Sequence, residues 1–311
     1  MKLLTRAACA ASLGILSMAW SSAAAAQQPP GKSPVSLVVS VEAKRGKDVP
    51  AVQREDVRVL AGKMRLEVTE WKPYQDNGAA NLQLLVLIDE VSDPELSSRF
   101  DELRQFLDAQ PATTELAVGY MENGGTRTVQ NFTSDHAAAS KALRVPIGLP
   151  AGENSPYLSL TEALKHWPSS DKRRTVLMIS SGADPMQPGP SDTYLQNAIA
   201  IAQRTGTQVY TLYTSSSGHF GHSLWRVNQA QSNLSQLADQ TGGEAYFQGT
   251  ATPISLRPFL DQFSERLRHQ YKLSFLAPAK NKPGYLDIKL ETEVSNADLV
   301  SADRVFVPAT K

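Results

Sequence analysis

Four polar stretches of this chain carry residue types that could bind a cation, seat a ligand or move a proton. They are Asp89-Glu90-Val91-Ser92-Asp93, Glu153-Asn154-Ser155, Ser181-Gly182-Ala183-Asp184 and the segment Thr214 to Arg226. Carboxylates and hydroxyls in such company suit a hard cation such as Mg²⁺ or Ca²⁺. The Asp89, Asp93 and Asp184 carboxylates are also where a hydrolase would be sought, but no acid–base or nucleophile–base pair stands out beside them. Ser180 and Ser181 end an apolar run, as a nucleophile would, without the G-x-S-x-G elbow. His219 and His222 have no neighbouring acid or thiol, which argues against zinc. Neither a G-x-G-x-x-G turn nor a P-loop occurs, which argues against a nucleotide site. Phe220 and Trp225 stand among serines, glycines and histidines, a frame in which exposed rings make good contact residues. The competing expectation is that both rings pin the loop onto the sheet.

These residues need a scaffold, and the sequence supplies one. Leu82 to Asp89, LQLLVLID, is the kind of apolar run that marks a strand buried on both faces of a parallel sheet. It stops on a carboxylate. From Pro94 to Gln110 the apolar residues Leu96, Phe100, Leu103 and Leu107 fall on one helical stripe. A buried strand, an acid at its carboxyl end and a helix make the first unit of a doubly wound, Rossmann-like α/β domain. Ligands of such sheets bind beyond the carboxyl ends of the strands. Further strands are predicted over Glu115 to Met121 and Thr126 to Phe132, a hairpin whose second arm is an edge, and over Thr175 to Ser180, Gln208 to Tyr213 and Glu244 to Phe247. Helices are expected over Ser134–Leu143, up to Trp167, over Asp192–Arg204 with Ser191 as cap, over Gln229–Gln240 and over Ser255–His269.

Strand-like segments lie on both sides of this core. Val35 to Val41, then a hairpin of Asp56–Leu60 and Met64–Trp71 turning at Ala61-Gly62-Lys63, precede it. Tyr271–Leu276, Tyr285–Leu290 and Val305–Val307 follow it. Isolated hairpins are marginal in water, so the two sets are expected to pair as one small β module. The predicted organisation is 1–26 signal peptide, 27–33 flexible lead, 34–78 β segment, 79–270 α/β domain and 271–311 β segment. Lys2 and Arg6, an apolar stretch to Trp20 and the small residues Ala24 to Ala26 form a Sec-type export signal cut before Gln27. The one cysteine, Cys9, lies inside it, so the mature chain uses no disulfide or thiolate. Removing Lys2 and Arg6 from 31 basic residues leaves 29 against 31 acidic, a net charge of −2. Such a balance favours neither nucleic acid nor an anionic membrane, and the mature chain has no apolar run long enough to span one.

At this point the chain resembles the von Willebrand factor type A (VWFA) domain, in which these loops build a metal-ion-dependent adhesion site. The family pattern is Asp-x-Ser-x-Ser after the first strand, a Thr from a later loop and an Asp ending the fourth strand. Its counterparts here are Asp89, Val91, Asp93, Ser155 and Ser181. VRVLAGKMRLEVTEW, NFTSDHAAASKAL, QLADQTGGEAYF, LRHQYKLSFLAP and LVSADRVFVP are similar to segments of a von Willebrand A-related group abundant in Acidobacteria. The resemblance runs from about Val35 to Pro308 and implies a fold and an exported address rather than a reaction. Val91 brings no oxygen and Ser181 replaces a carboxylate, so the resemblance implies a degenerate site. Were a cation held, Asp89, Asp93, Ser155 and Ser181 would hold it. The expected function is an exported (periplasmic or secreted), non-enzymatic module binding a protein ligand, without a cofactor. Its expected contact face comprises Asp89, Ser92, Asp93, Ser155, Ser181, Asp184, Phe220 and Trp225. The alternatives are an adhesion module dependent on Mg²⁺ or Ca²⁺, and a hydrolase using Asp89, Asp93 and Asp184. Asp89 itself is expected to face Ser155 and Ser181, helped by N–H groups of the helix starting at Pro94.

Overall fold

A computed structural model describes residues 31–46, 48–74, 81–147, 154–187, 189, 192–216 and 223–309. The predicted signal segment and its cleavage site lie outside the described residues, as do Ser191, His219, Phe220 and His222.

The strands, in chain order, are β1 (Lys32–Ala43), β2 (Val57–Ala61), β3 (Met64–Pro73), β4 (Leu82–Asp89), β5 (Glu115–Glu122), β6 (Gly125–Thr133), β7 (Arg173–Ser180), β8 (Thr207–Tyr213) and β9 (Ala245–Tyr246). They are followed by β10 (Gln270–Pro278), β11 (Gly284–Asp287), β12 (Lys289–Thr292), β13 (Ala297–Val300) and β14 (Arg304–Val307). The helices are α1 (Phe100–Asp108), α2 (His136–Lys141), α3 (Pro156–Lys165), α4 (Thr193–Thr205), α5 (Leu224–Thr241) and α6 (Arg257–Arg268).

One sheet has the order β6-β5-β4-β7-β8-β9. All neighbours are parallel except the edge strand β6, which returns antiparallel from β5. Every residue of β4 is buried, because α1, α2 and α6 cover one face and α3, α4 and α5 the other. That double cover explains why β4 is apolar throughout instead of alternating. The chain leaves β4 for β5 on one side and later returns to β7 on the other, so the sheet reverses direction at β4. This is a doubly wound, mostly parallel, Rossmann-like sheet, and Asp89 ends the strand at its switch point.

The flanking segments join in a second, antiparallel sheet of order β12-β2-β3-β10-β1-β13. β1 runs along β10 from Lys32↔Pro278 to Ser40↔Gln270 and along β13 from Ser40↔Val300. The two sheets meet through buried polar contacts. Gln270 Nε2 donates to Gln208 Oε1 at 2.7 Å and to the Tyr210 hydroxyl at 3.2 Å. Arg266 pairs with Glu42 of β1 and with Glu244.

Several elements differ from their predicted form. The stretch after Asp93 begins as a 3-10 helix (Pro94–Arg99) and becomes α-helical only at Phe100. Tyr285–Leu290 is two strands, because β11 pairs with β14 whereas β12 pairs with β2. α5 begins at Leu224 instead of Gln229. Helix α4 is capped by Asp192, whose Oδ1 accepts the Leu195 N–H at 2.9 Å.

Candidate functional site

Asp89 has no exposed surface. Its Oδ2 accepts the Ser180 hydroxyl at 2.7 Å, and its Oδ1 accepts Asn154 Nδ2 at 3.0 Å and the Val91 N–H at 3.3 Å. Burial is the dominant influence and raises its pKa to about 6, against which the three donors act. Asp89 therefore meets the residues just before the expected ones. Strand pairing explains this: Ile88 lies opposite Ile179, which sets Asp89 beside Ser180. Ser181, one residue on, turns away, as successive strand residues do, and its Oγ accepts the Ala183 N–H at 3.3 Å.

Ser155 has another task. Its Oγ accepts the Leu158 N–H at 3.2 Å as cap of α3 and donates to Asp184 Oδ2. Asp184 Oδ1 accepts the Met186 and Gln187 N–H groups at 2.8 and 3.2 Å, and burial raises its pKa. Asp93 caps the 3-10 helix, accepting the Glu95 N–H at 2.9 Å. The N–H groups of that helix thus serve Asp93, and the expectation that they compensate Asp89 is corrected. Ser92 is fully buried, forms an antiparallel bridge with Ser216, and has no partner for its Oγ among the described residues. The site brings Asp89 together with Ser180 and Asn154, and Ser155 with Asp184. Asp93 is engaged elsewhere.

Glu90 was not singled out by the sequence, yet it holds the neighbouring loop. It is 5% exposed, pairs with Arg144 and with Arg127 (3.2 Å), and accepts the Ile147 N–H at 2.9 Å. Burial would raise its pKa, but the Arg144 contact and the other donors outweigh it and hold the carboxyl below its usual range. The loops after β4, β8 and β9 are likewise tied together. Asp93 N–H donates to the Ser215 carbonyl at 2.9 Å, and Thr252 Oγ1 lies 2.7 Å from Ser215 Oγ. Trp225 lies on the first turn of α5 and is 59% exposed, so it does not pin the loop.

Two features of the site count against a divalent cation. Asp89 receives O–H and N–H donors on both oxygens, which compete with a metal for its lone pairs, and Val91 offers no side-chain oxygen. Among the described residues, no group of three Asp, Glu, His or Cys is placed to hold a metal.

No protein-family model matches the chain, and no curated protein matches it. Solved structures do. An aerotolerance-related membrane protein from Bacteroides fragilis is 12% identical, overlaps 60% of this chain and 98% of its own, and gives a TM-score of 0.43. BatB from Bacteroides thetaiotaomicron is 14% identical over 60% and 98% of the two chains, with a TM-score of 0.44. A von Willebrand factor type A protein from Catenulispora acidiphila is 11% identical over 92% and 76%, with a TM-score of 0.41. The strand order, the antiparallel edge at β6 and the buried carboxylate ending β4 give residues 82–268 a von Willebrand A-like fold.

Proposed function

We propose that this chain is an exported, non-enzymatic protein-binding module whose carboxyl-end face works without a metal. The observation that carries the reading is where exposed apolar side chains lie. Among the described residues, eight large apolar side chains are exposed, and seven of them occupy segments at the carboxyl end of the parallel sheet. Val145 and Ile147 flank the loop held by Glu90, and Met186 follows β7. Leu224 (70% exposed) and Trp225 open α5, while Phe247 and Ile254 (86%) follow β9. Single exposed apolar residues are ordinary. Their concentration at one end of a sheet about 24 Å wide is what a protein contact surface requires.

The metal-free reading rests on Asp89, whose carboxylate is occupied by three protein donors. The Sec-type N-terminus supports export, and among the described residues no helix is long and apolar enough to cross a membrane. Capture of a partner from bacterial envelope extract tests the reading. The natural chain should retain its partner in EDTA, and a Leu224→Ser, Trp225→Ser double variant should lose it. Capture abolished by EDTA would instead establish the Mg²⁺- or Ca²⁺-dependent alternative. Capture unaffected by the double variant would remove this face from the interaction.

A further inference from the structure

At the end of the parallel sheet opposite Asp89, α1 and α6 flank a groove of about 640 Å³, within the range that holds a small organic ligand. Leu82, Phe106, Leu260 and Leu267 provide its apolar wall, with Tyr74, Thr114 and Arg173 beside them. Arg173, the first residue of β7, is only 7% exposed, and its guanidinium lies 4.7 Å from the Tyr74 ring centroid. Nη1 donates to the Leu267 carbonyl at 3.2 Å and to Gln270 Oε1. Nε has no acceptor, and among the described residues no carboxylate comes within ion-pair distance of the group. Thr114 Oγ1, also buried, lacks a partner too.

A buried guanidinium without a counter-ion is costly, because neutral acceptors and one aromatic face replace only part of its hydration. Burial accordingly lowers its pKa, to about 10. The acids nearest the groove are committed elsewhere. Glu102 accepts the Ser255 hydroxyl and the Leu256 and Arg257 N–H groups, and Glu265 pairs with Arg268 and His269. Asp261 is exposed at the rim.

We propose that this groove binds an amphiphilic carboxylate, with its head group on Arg173 and its apolar body along Leu82, Phe106 and Leu260. The carboxylate supplies the charged acceptor that Arg173 lacks, in the pairing for which a guanidinium is best shaped. The site is independent of the carboxyl-end face and of whatever binds there.

Isothermal titration of the full chain with octanoate tests it, with octylamine and inorganic phosphate as comparison probes. Octanoate should bind saturably, and each comparison probe should bind about tenfold more weakly or worse. Arg173→Met should weaken octanoate by a similar factor. Because that variant removes a buried junction residue, Ala109→Trp provides a second arm. Ala109 is an exposed groove residue just past α1, and a larger side chain there should narrow the groove while leaving the β7 sequence unaltered. No saturable octanoate binding, octylamine binding as tight as octanoate, or an unchanged affinity in Ala109→Trp would overturn the proposal. Phosphate binding as tight as octanoate would reassign the groove to a bare anion and overturn the amphiphile.

Discussion

A carboxylate without exposed surface must be protonated, bind a cation or accept several hydrogen bonds, and Asp89 takes three of the last kind. Its pKa, raised by burial to about 6 from 3.8, has a definite consequence for stability. The folded state holds the Asp89 proton more tightly than the unfolded chain does. The stability this contributes is present below about pH 4 and is lost as pH rises through about 6. Asp89→Asn removes that dependence. Relative to the natural chain, the variant should gain about 2 kcal/mol between pH 4 and pH 7, measured by urea unfolding at both. An unchanged difference between the two proteins would show that Asp89 titrates normally. The place of Asp89 was legible in the sequence, since a fully apolar run stopped on an acid. Its partners were not. Whether Ser180 or Ser181 reaches it depends on the register of β4 against β7, and one residue of register exchanges an inward for an outward side chain.

At the scale of elements, the turn after β7 sets the shape of the face. Gly182 has φ +70°, and a Cβ there would lie 2.5 Å from Leu234 Cγ and 2.7 Å from the Ala230 carbonyl oxygen, both on α5. Its own carbonyl accepts the Tyr157 hydroxyl of α3 at 2.9 Å. Gly182→Ala must therefore strain the turn or displace α5, and should cost about 2–4 kcal/mol by urea unfolding. A loss below about 1 kcal/mol would mean that α5 yields freely. Periodicity sufficed to find the long helices and the buried strands, because β4, β7 and β8 are covered on both faces. It failed where tertiary contacts decide. The start of α5 holds Leu224 and Trp225 in the open, so no apolar stripe announces it. The break between β11 and β12 comes from a change of partner, β14 for the first and β2 for the second, and β13 is a short strand that only pairing with β1 defines.

Over the whole molecule, the β segments before and after the α/β core join in one six-stranded sheet, with β11 and β14 as a separate pair, and share a core in which Val39, Val59, Leu273 and Phe275 are buried and Trp71 stacks on Tyr271 at 4.4 Å. β1 is second from the edge there, held between β10 and the edge strand β13. Deleting Asp298 to Lys311 removes most of β13 and all of β14, and so exposes one side of β1 from Ser40 to Glu42. Hydrogen exchange in Ser40 to Ala43 should accelerate markedly, with that in β4 much less affected. Unchanged protection in Ser40 to Ala43 would show that this end of β1 holds through β10 alone. The pairing was legible in outline, since neither segment could bury its strands alone. The strand order was not, because order in an antiparallel sheet follows from long-range packing rather than local pattern.

The central claim is that the carboxyl-end face carries a carboxylate satisfied by protein donors and therefore needs no cation. Titration calorimetry with Mg²⁺ and Ca²⁺ on the natural chain tests it most directly. The account predicts no saturable binding at millimolar cation, because the donors of Ser180, Asn154 and Val91 already occupy the Asp89 carboxylate. Saturable binding of either cation by the natural chain below millimolar concentration would contradict it.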